Sequence, residues 1–167
     1  ALREWGFTGL GLKWPNDVLW QNKKLAGILI EINGDVAGNC HVVIGLGMNL
    51  RDQGHAMDVV VQPWTTLGNM GFTQHERNCL FGRVLDLQLN ALEKFRSLGF
   101  AAFLQDWHAL DVTAGMDIDI SSASGVITGR SLGVDVSGAL LLQTVRGIQT
   151  FHGGEVSLRA KTVRDLE

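Results

Sequence analysis

Leu25-Ala26-Gly27-Ile28-Leu29-Ile30-Glu31-Ile32 is followed by turn formers, Asn33-Gly34-Asp35 to Gly38-Asn39, and then by His41-Val42-Val43-Ile44-Gly45-Leu46-Gly47-Met48-Asn49-Leu50. Two apolar runs around a turn-rich centre read as a β-hairpin. The first run is too apolar for a sheet with one face in water, which places it inside a sheet rather than at an edge. Upstream, Gly9 to Trp14 alternates small and apolar residues and ends at Pro15, where a backbone donor is lost. Val18 to Gln21 reads as another short strand, with Asn22-Lys23 as its turn. Ala1 to Gly6 reads as the last turn of a helix with its glycine cap. That opening, without an initiating Met, leads us to expect a fragment of a longer protein.

Downstream, residues 51 to 64 show no clean period and read as a loop whose tip, Asp58-Val59-Val60-Val61, is apolar enough to fold down. Thr73-Gln74-His75-Glu76 has the form of a capping box, in which the hydroxyl accepts from an amide three residues on. Behind it Leu80, Val84, Leu87, Leu92 and Phe95, with Phe81 and Leu85 beside them, recur at helical spacing to Leu98, and Gly99 stops the helix. Phe100 to Leu110 is expected as a second helix. From Gly115 the texture changes to short strands joined by glycine-containing turns, the mark of a small all-β barrel. The boundary falls near Thr113. The expected class is α+β, a mixed sheet with helices followed by a small barrel.

The chain has 167 residues, is 46% hydrophobic and 19% charged, and carries a formal net charge of −3. Such a balance suits a globular core and excludes a disordered chain. It holds no run of Lys or Arg, so no electrostatic footprint for nucleic acid or an anionic membrane is expected. Cys40 and Cys79 have no CxxC spacing and are expected to be buried free thiols of a cytoplasmic protein. His41, His55, His75, His108 and His152 are scattered, which argues against a metal cluster. No run approaches the roughly 20 apolar residues of a membrane helix, and the opening residues do not form a signal peptide.

Three features could carry chemistry. Lys13-Trp14-Pro15-Asn16-Asp17 runs from a strand end into a turn with a cation, an amide and a carboxylate. Lys24 opens the most apolar strand, before the small pair Ala26-Gly27. Gly45-Leu46-Gly47-Met48-Asn49 sets glycines in a strand that otherwise wants bulk. Each has an ordinary explanation: a solvated turn, an edge lysine, a bulge or close packing against a helix. The G-x-G lacks the third glycine of a dinucleotide fingerprint, Leu50 standing in its place. A hairpin brings two of the features side by side.

The combination resembles the biotin protein ligases. Lys13-Trp14-Pro15-Asn16-Asp17, Lys24-Leu25-Ala26-Gly27-Ile28-Leu29-Ile30-Glu31 and Gly45-Leu46-Gly47-Met48-Asn49 match that family's blocks in order and spacing. So do Asp135-Val136-Ser137-Gly138-Ala139-Leu140 and Gly153-Gly154-Glu155-Val156-Ser157-Leu158-Arg159. The resemblance implies a class II synthetase-like catalytic portion over 1–113 and an SH3-like domain over 114–167. It also implies an enzyme that activates biotin with ATP and Mg²⁺ to biotinyl-5′-AMP and transfers the biotinyl group to a carrier-protein lysine, with no prosthetic group.

By the same resemblance Lys24 is the catalytic ammonium, holding two anions together. Asp17 is its partner carboxylate, with Mg²⁺ as a further role. Gly27, Leu29, Gly45 and Gly47, with Lys24, bind biotin; Lys13, Asn16, Asn49, Trp64 and Arg159, with Glu155, serve the nucleotide. Trp5, Trp20 and Trp107 read as packing residues. The implied partners are a biotin carboxyl carrier domain and a second copy in a homodimer, with no nucleic acid and no membrane, in the cytoplasm. The family's Gly/Arg-rich loop, its Ser/Thr and Gln contacts to the biotin ring and the winged helix of some members are not in this sequence. The chain alone is therefore expected to bind biotin weakly and to ligate nothing. A lipoate ligase, which shares the fold, and a non-catalytic module for carrier docking or dimerisation are the rival readings.

Overall fold

A computed structural model describes residues 1–34, 40–51, 62–122, 125–153 and 157–160. The loop tip Asp58-Val59-Val60-Val61 and Glu155 lie outside them. The chain opens with hydrogen-bonded turns closed by Gly6 at φ +82, as the helix-end pattern of Ala1 to Gly6 anticipates. Strands β1 (Leu10–Lys13), β2 (Asp17–Trp20), β3 (Lys23–Gly34) and β4 (Cys40–Met48) form an antiparallel sheet in that order. The β2–β3 turn is Gln21-Asn22, one residue earlier than the pattern suggested, with both φ positive at 48 and 61. That is the twist a two-residue hairpin needs. Among the described residues parallel pairing is limited to isolated bridges, Leu12 with Asp111 and Lys24 with Trp64.

β3 is an inner strand, as its apolarity required, but it is buried only where it begins. Leu25 and Ala26 are enclosed, whereas Ile30 and Ile32 are 57% and 67% exposed. The long helix α1 (Arg77–Leu98) shows the same split: Leu80 is its one buried residue, and Phe81, Leu89, Phe95 and Leu98 face outward. Its expected capping box takes another form. A 3₁₀ turn, Gln74–Glu76, precedes it, and the Thr73 hydroxyl donates to the Glu76 carboxylate at 2.6 Å instead of accepting from an amide. A side chain that donates to a nearby carboxylate makes the stronger, charge-assisted bond. Cys79, expected inside, is exposed on the first turn of α1. The second helix begins as a 3₁₀ turn at Phe100–Phe103 and becomes α2 only over Leu104–Leu110.

Five strands complete the fold: β5 (Asp117–Ser122), β6 (Gly125–Val134), β7 (Leu140–Thr144), β8 (Gly147–Phe151) and β9 (Ser157–Ala160). They make an antiparallel sheet in the order β8-β7-β6-β5-β9, consistent with the expected SH3-like domain. Ile118, Ile120, Val134, Leu140, Leu142 and Leu158 form its core, and Trp14, from the loop between β1 and β2, completes it. Burying an indole removes roughly 200 Å² of surface, on the order of 5 kcal/mol at about 25 cal/mol per Å². A second core gathers Leu2, Leu25, Leu67 and Leu80, with Trp5 and Trp20 packed against it. Among the described residues no helix is long and apolar enough to cross a membrane.

Candidate active site

Lys13 and Asp17 pair directly across β1 and β2, joined by the loop Trp14-Pro15-Asn16. Asp17 in turn pairs with Gly27 of β3, and Gly27 with Gly47 of β4. Residues directly opposed in neighbouring strands share a face, so the carboxylate and the glycines form one row across the sheet. Simple alternation would place Lys24 on the other side of β3 from Gly27. A register shift corrects this: Val18 pairs with Ala26 but Leu19 pairs with Lys24, leaving Leu25 as the extra residue of a β-bulge. Bulges re-aim side chains, and here the bulge turns Lys24 to the Asp17 side while Leu25 goes into the core.

The ammonium of Lys24 lies 2.5 Å from Asp17 Oδ1, and that of Lys13 lies 3.8 Å from Oδ2. Asp17 is 10% exposed at its side chain and Lys24 is 38%. A nearly buried carboxylate needs such compensation, because burying an unpaired charge costs far more than the pair returns. Lys13 also donates to Gln62 Oε1 at 3.1 Å. The Lys24 backbone is fixed as well, its N–H donating to Pro63 O at 2.8 Å and its carbonyl accepting from Thr65 N–H at 2.9 Å. A partly accessible ammonium on a pinned backbone and a pinned counter-ion can meet a second anion without reorganising.

Beside this pair lies an open groove of about 490 Å³ lined by Asn16, Gly27, Ile28, Leu29, Gly45, Leu46 and Gly47. Its glycines answer the alternatives left open by the sequence. The β3–β4 register runs unbroken from Ala26–Met48 to Gly34–Cys40, so neither Gly45 nor Gly47 marks a bulge. Nor does packing among the described residues demand them: a Cβ at Gly45 would find Leu29 O at 3.8 Å, and one at Gly47 would find Gly27 O at 4.0 Å. At Gly27 the nearest atoms are Lys24 Cε and Nζ, at 3.5 and 3.6 Å. The ion pair therefore borders the groove floor.

Other expected residues play quieter parts. Asn16 is clamped to β3, its Nδ2 donating to Ile28 O at 2.8 Å and its backbone carbonyl accepting from Ile28 N–H at 2.9 Å. The Asn49 amide donates to Lys24 O at 3.3 Å and Thr65 O at 3.1 Å, so its N–H₂ braces the Lys24 backbone. Trp64 is half-buried and bridged to Lys24. Leu29 is 60% exposed at the groove. Arg159 lies in β9 opposite Asp119, and the structure does not bring it to this cluster through strand pairing. Reading the sequence missed Gln62, in a segment without period, and the extent of Trp14's burial; a tryptophan inside a charged turn was the available signal for the latter.

A divalent cation fits this arrangement poorly. Both Asp17 oxygens face ammonium groups, and among the described residues no three His, Cys, Asp or Glu side chains gather to hold a metal. In this arrangement Asp17 serves as the counter-ion of both lysines.

Comparison with known proteins gives concordant matches. Residues 8–49 match the Biotin/lipoate A/B protein ligase family and residues 120–159 the Biotin protein ligase C terminal domain. The chain is 37% identical over 160 residues to the bifunctional ligase/repressor BirA of Escherichia coli strain K12, spanning 96% of this chain and 50% of that protein. It is 32% identical to the biotin–[acetyl-CoA-carboxylase] ligase of Paracoccus denitrificans, spanning 88% of this chain and 62% of that one. The Aquifex aeolicus biotin protein ligase solved with biotin and ATP superposes with a TM-score of 0.79 at 28% identity, over 96% of this chain and 66% of that one. The chain thus spans about half the length of the BirA relatives it matches.

Proposed function

Because the chain belongs to the biotin protein ligase family, matching its C-terminal part, we propose that it carries the lysine side of a site that activates biotin with ATP and biotinylates a carrier protein. The observation that supports this most is the Lys24–Asp17 pair at 2.5 Å bordering a glycine-floored groove. In the first step a biotin carboxylate oxygen attacks the α-phosphorus of ATP, forming biotinyl-5′-AMP as the bond to pyrophosphate breaks. Two anions meet there, and an ammonium between them offsets their repulsion. Asp17 holds that ammonium in place, while Lys13 shares the carboxylate's charge. In the second step the neutral amine of a carrier lysine attacks the acyl carbon; AMP leaves with the electron pair and the amine loses a proton.

In this reading residues 1–113 belong to the catalytic portion and 114–167 to the SH3-like portion. Gly27, Leu29, Gly45 and Gly47 take biotin. Lys13, Asn16, Trp64 and Arg159 stand on the nucleotide side, and Mg²⁺ arrives with ATP as part of the substrate. The partner is a biotin carboxyl carrier domain, met in the cytoplasm by a homodimer. The matched family covers biotin and lipoate enzymes alike, and the Lys-Trp-Pro-Asn-Asp turn favours biotin. The test is pyrophosphate release by the intact ligase with biotin or with lipoate. Lys24→Ala should lower the biotin-dependent rate about 10²–10³-fold. An unchanged rate removes Lys24 from the chemistry, and a preference for lipoate reassigns the substrate.

A further inference from the structure

Trp14 lies between Lys13 and Pro15, in the loop that joins two charged residues of the site, yet it is 3% exposed. The buried residues around it, Ile118, Ile120, Val134, Leu140, Leu142 and Leu158, all belong to the second sheet. Its indole N–H donates to Gly138 O at 3.2 Å, a link across 124 positions of chain. Filling a core requires only volume, which Phe or Leu would supply. A directed bond from a buried ring adds a fixed rotation and depth.

The acceptor is as firmly held as the donor. Asp135 Oδ1 accepts from Ser137 N–H at 2.8 Å, Ser137 Oγ at 2.7 Å and Ala139 N–H at 3.1 Å, and Gly138 N–H returns to Asp135 O at 3.0 Å. Gly138 itself has φ +85, and a Cβ there would press on the Phe100 ring at 3.4 Å. On the other side of the same loop, Gly153 approaches Pro15, an added Cβ lying 3.5 Å from the proline's own. Between these contacts the loop Trp14-Pro15-Asn16 connects residues already paired in register, Lys13 and Asp17. Such a short connection has little slack. A displacement of Trp14 carries Lys13 and Asp17 with it, and Asp17 carries the Lys24 ammonium.

We propose that Trp14 is a positioning residue through which the second sheet, by the Gly138 carbonyl, sets the placement of Lys13, Asp17 and Lys24. The inference rests on the ligase reading for its chemistry but not for its test. The 167-residue chain is labelled with ¹³C at lysine, and the side-chain signals are compared at one pH for wild type, Trp14→Phe and a chain with 3-benzothienylalanine at position 14. The last keeps the indole's shape and replaces N–H with sulfur, so it remains informative if the phenylalanine variant does not fold. The Lys13 and Lys24 signals should move, with Lys23 and Lys94 unchanged and thermal melting still cooperative. Unmoved Lys13 and Lys24 signals, or equal shifts at Lys13, Lys23, Lys24 and Lys94 alike, overturn the proposal. In the pyrophosphate assay kcat should fall about tenfold while KM for ATP stays within about twofold. An intact wild-type ligase that releases no pyrophosphate counts against the ligase reading alone and leaves the lysine spectra to decide this one.

Discussion

In β6 of the second sheet, a methyl group added to Gly129 would sit 2.5 Å from Gln143 O and 2.7 Å from Leu142 Cγ; in β4 of the first sheet, one added to Gly45 would meet nothing closer than 3.8 Å. Neither glycine needs its conformational freedom, since neither has a positive φ. Gly129 is required by the close approach of a neighbouring strand, an internal reason that the fold itself supplies. Gly45 and Gly47 have no such reason within the described residues. Their bare backbone opens a groove beside an ion pair. The second sheet is packed against itself, and the first leaves its glycines facing open space among the described residues.

The sharpest way to break that contrast is a pair of valine substitutions measured by urea denaturation. Gly129→Val should cost about 3 kcal/mol of stability, because both clashing groups are fixed, one of them backbone. Gly45→Val should leave stability within about 0.5 kcal/mol, since an exposed strand position accepts a β-branched side chain. A similar loss at both positions would show that Gly45 is a packing residue after all. The same Gly45→Val protein sharpens the comparison from the other side. Isothermal titration with biotin should show affinity reduced at least about tenfold, roughly 1.4 kcal/mol, while melting is unchanged. Unaltered affinity would separate the groove from the ligand.

The strands, the long helix and the shift to short β elements near Thr113 were legible because hydrophobic period and turn residues are local signals. The candidate site was legible in its composition but not in its geometry. Nothing in Lys24-Leu25-Ala26-Gly27 announces that Leu25 is a bulge, yet that one extra residue decides which face Lys24 serves. Trp14 could be read as a packing residue, though not as part of the other sheet's core, because a partner 124 positions away leaves no mark on local pattern. Asn49 is a second case: its amide donors brace the Lys24 and Thr65 carbonyls, contacts between separate segments that local pattern does not announce. The apolar stripe of α1 predicted a helix correctly: periodicity reports which residues could be covered, and among the described residues Phe81, Leu89 and Phe95 stay exposed.

The smallest expected effect concerns acid, and it bears on the turn that supports the packed sheet. Hydrogen bonds from the Ser137 hydroxyl and amide, then from the Ala139 amide, hold the Asp135 carboxyl below the usual carboxylate range, with a minor contribution from His152. These bonds favour the charged form, so the folded chain releases the proton more readily than the unfolded one. The stabilisation is therefore fully present above the unfolded value and fades as pH falls through the folded one. Glu4, Glu76 and Glu93 are lowered too, so an acid unfolding curve would blend several groups. The carboxyl ¹³C signal of Asp135 isolates one of them. Its midpoint should fall below that of an aspartate in an unstructured peptide, and in a Ser137→Ala chain, which loses the hydroxyl donor but keeps both amides, it should rise part of the way back. A midpoint at or above the peptide value would mean that the turn does not grip its carboxylate, and that Asp135 does not fix the Gly138 carbonyl.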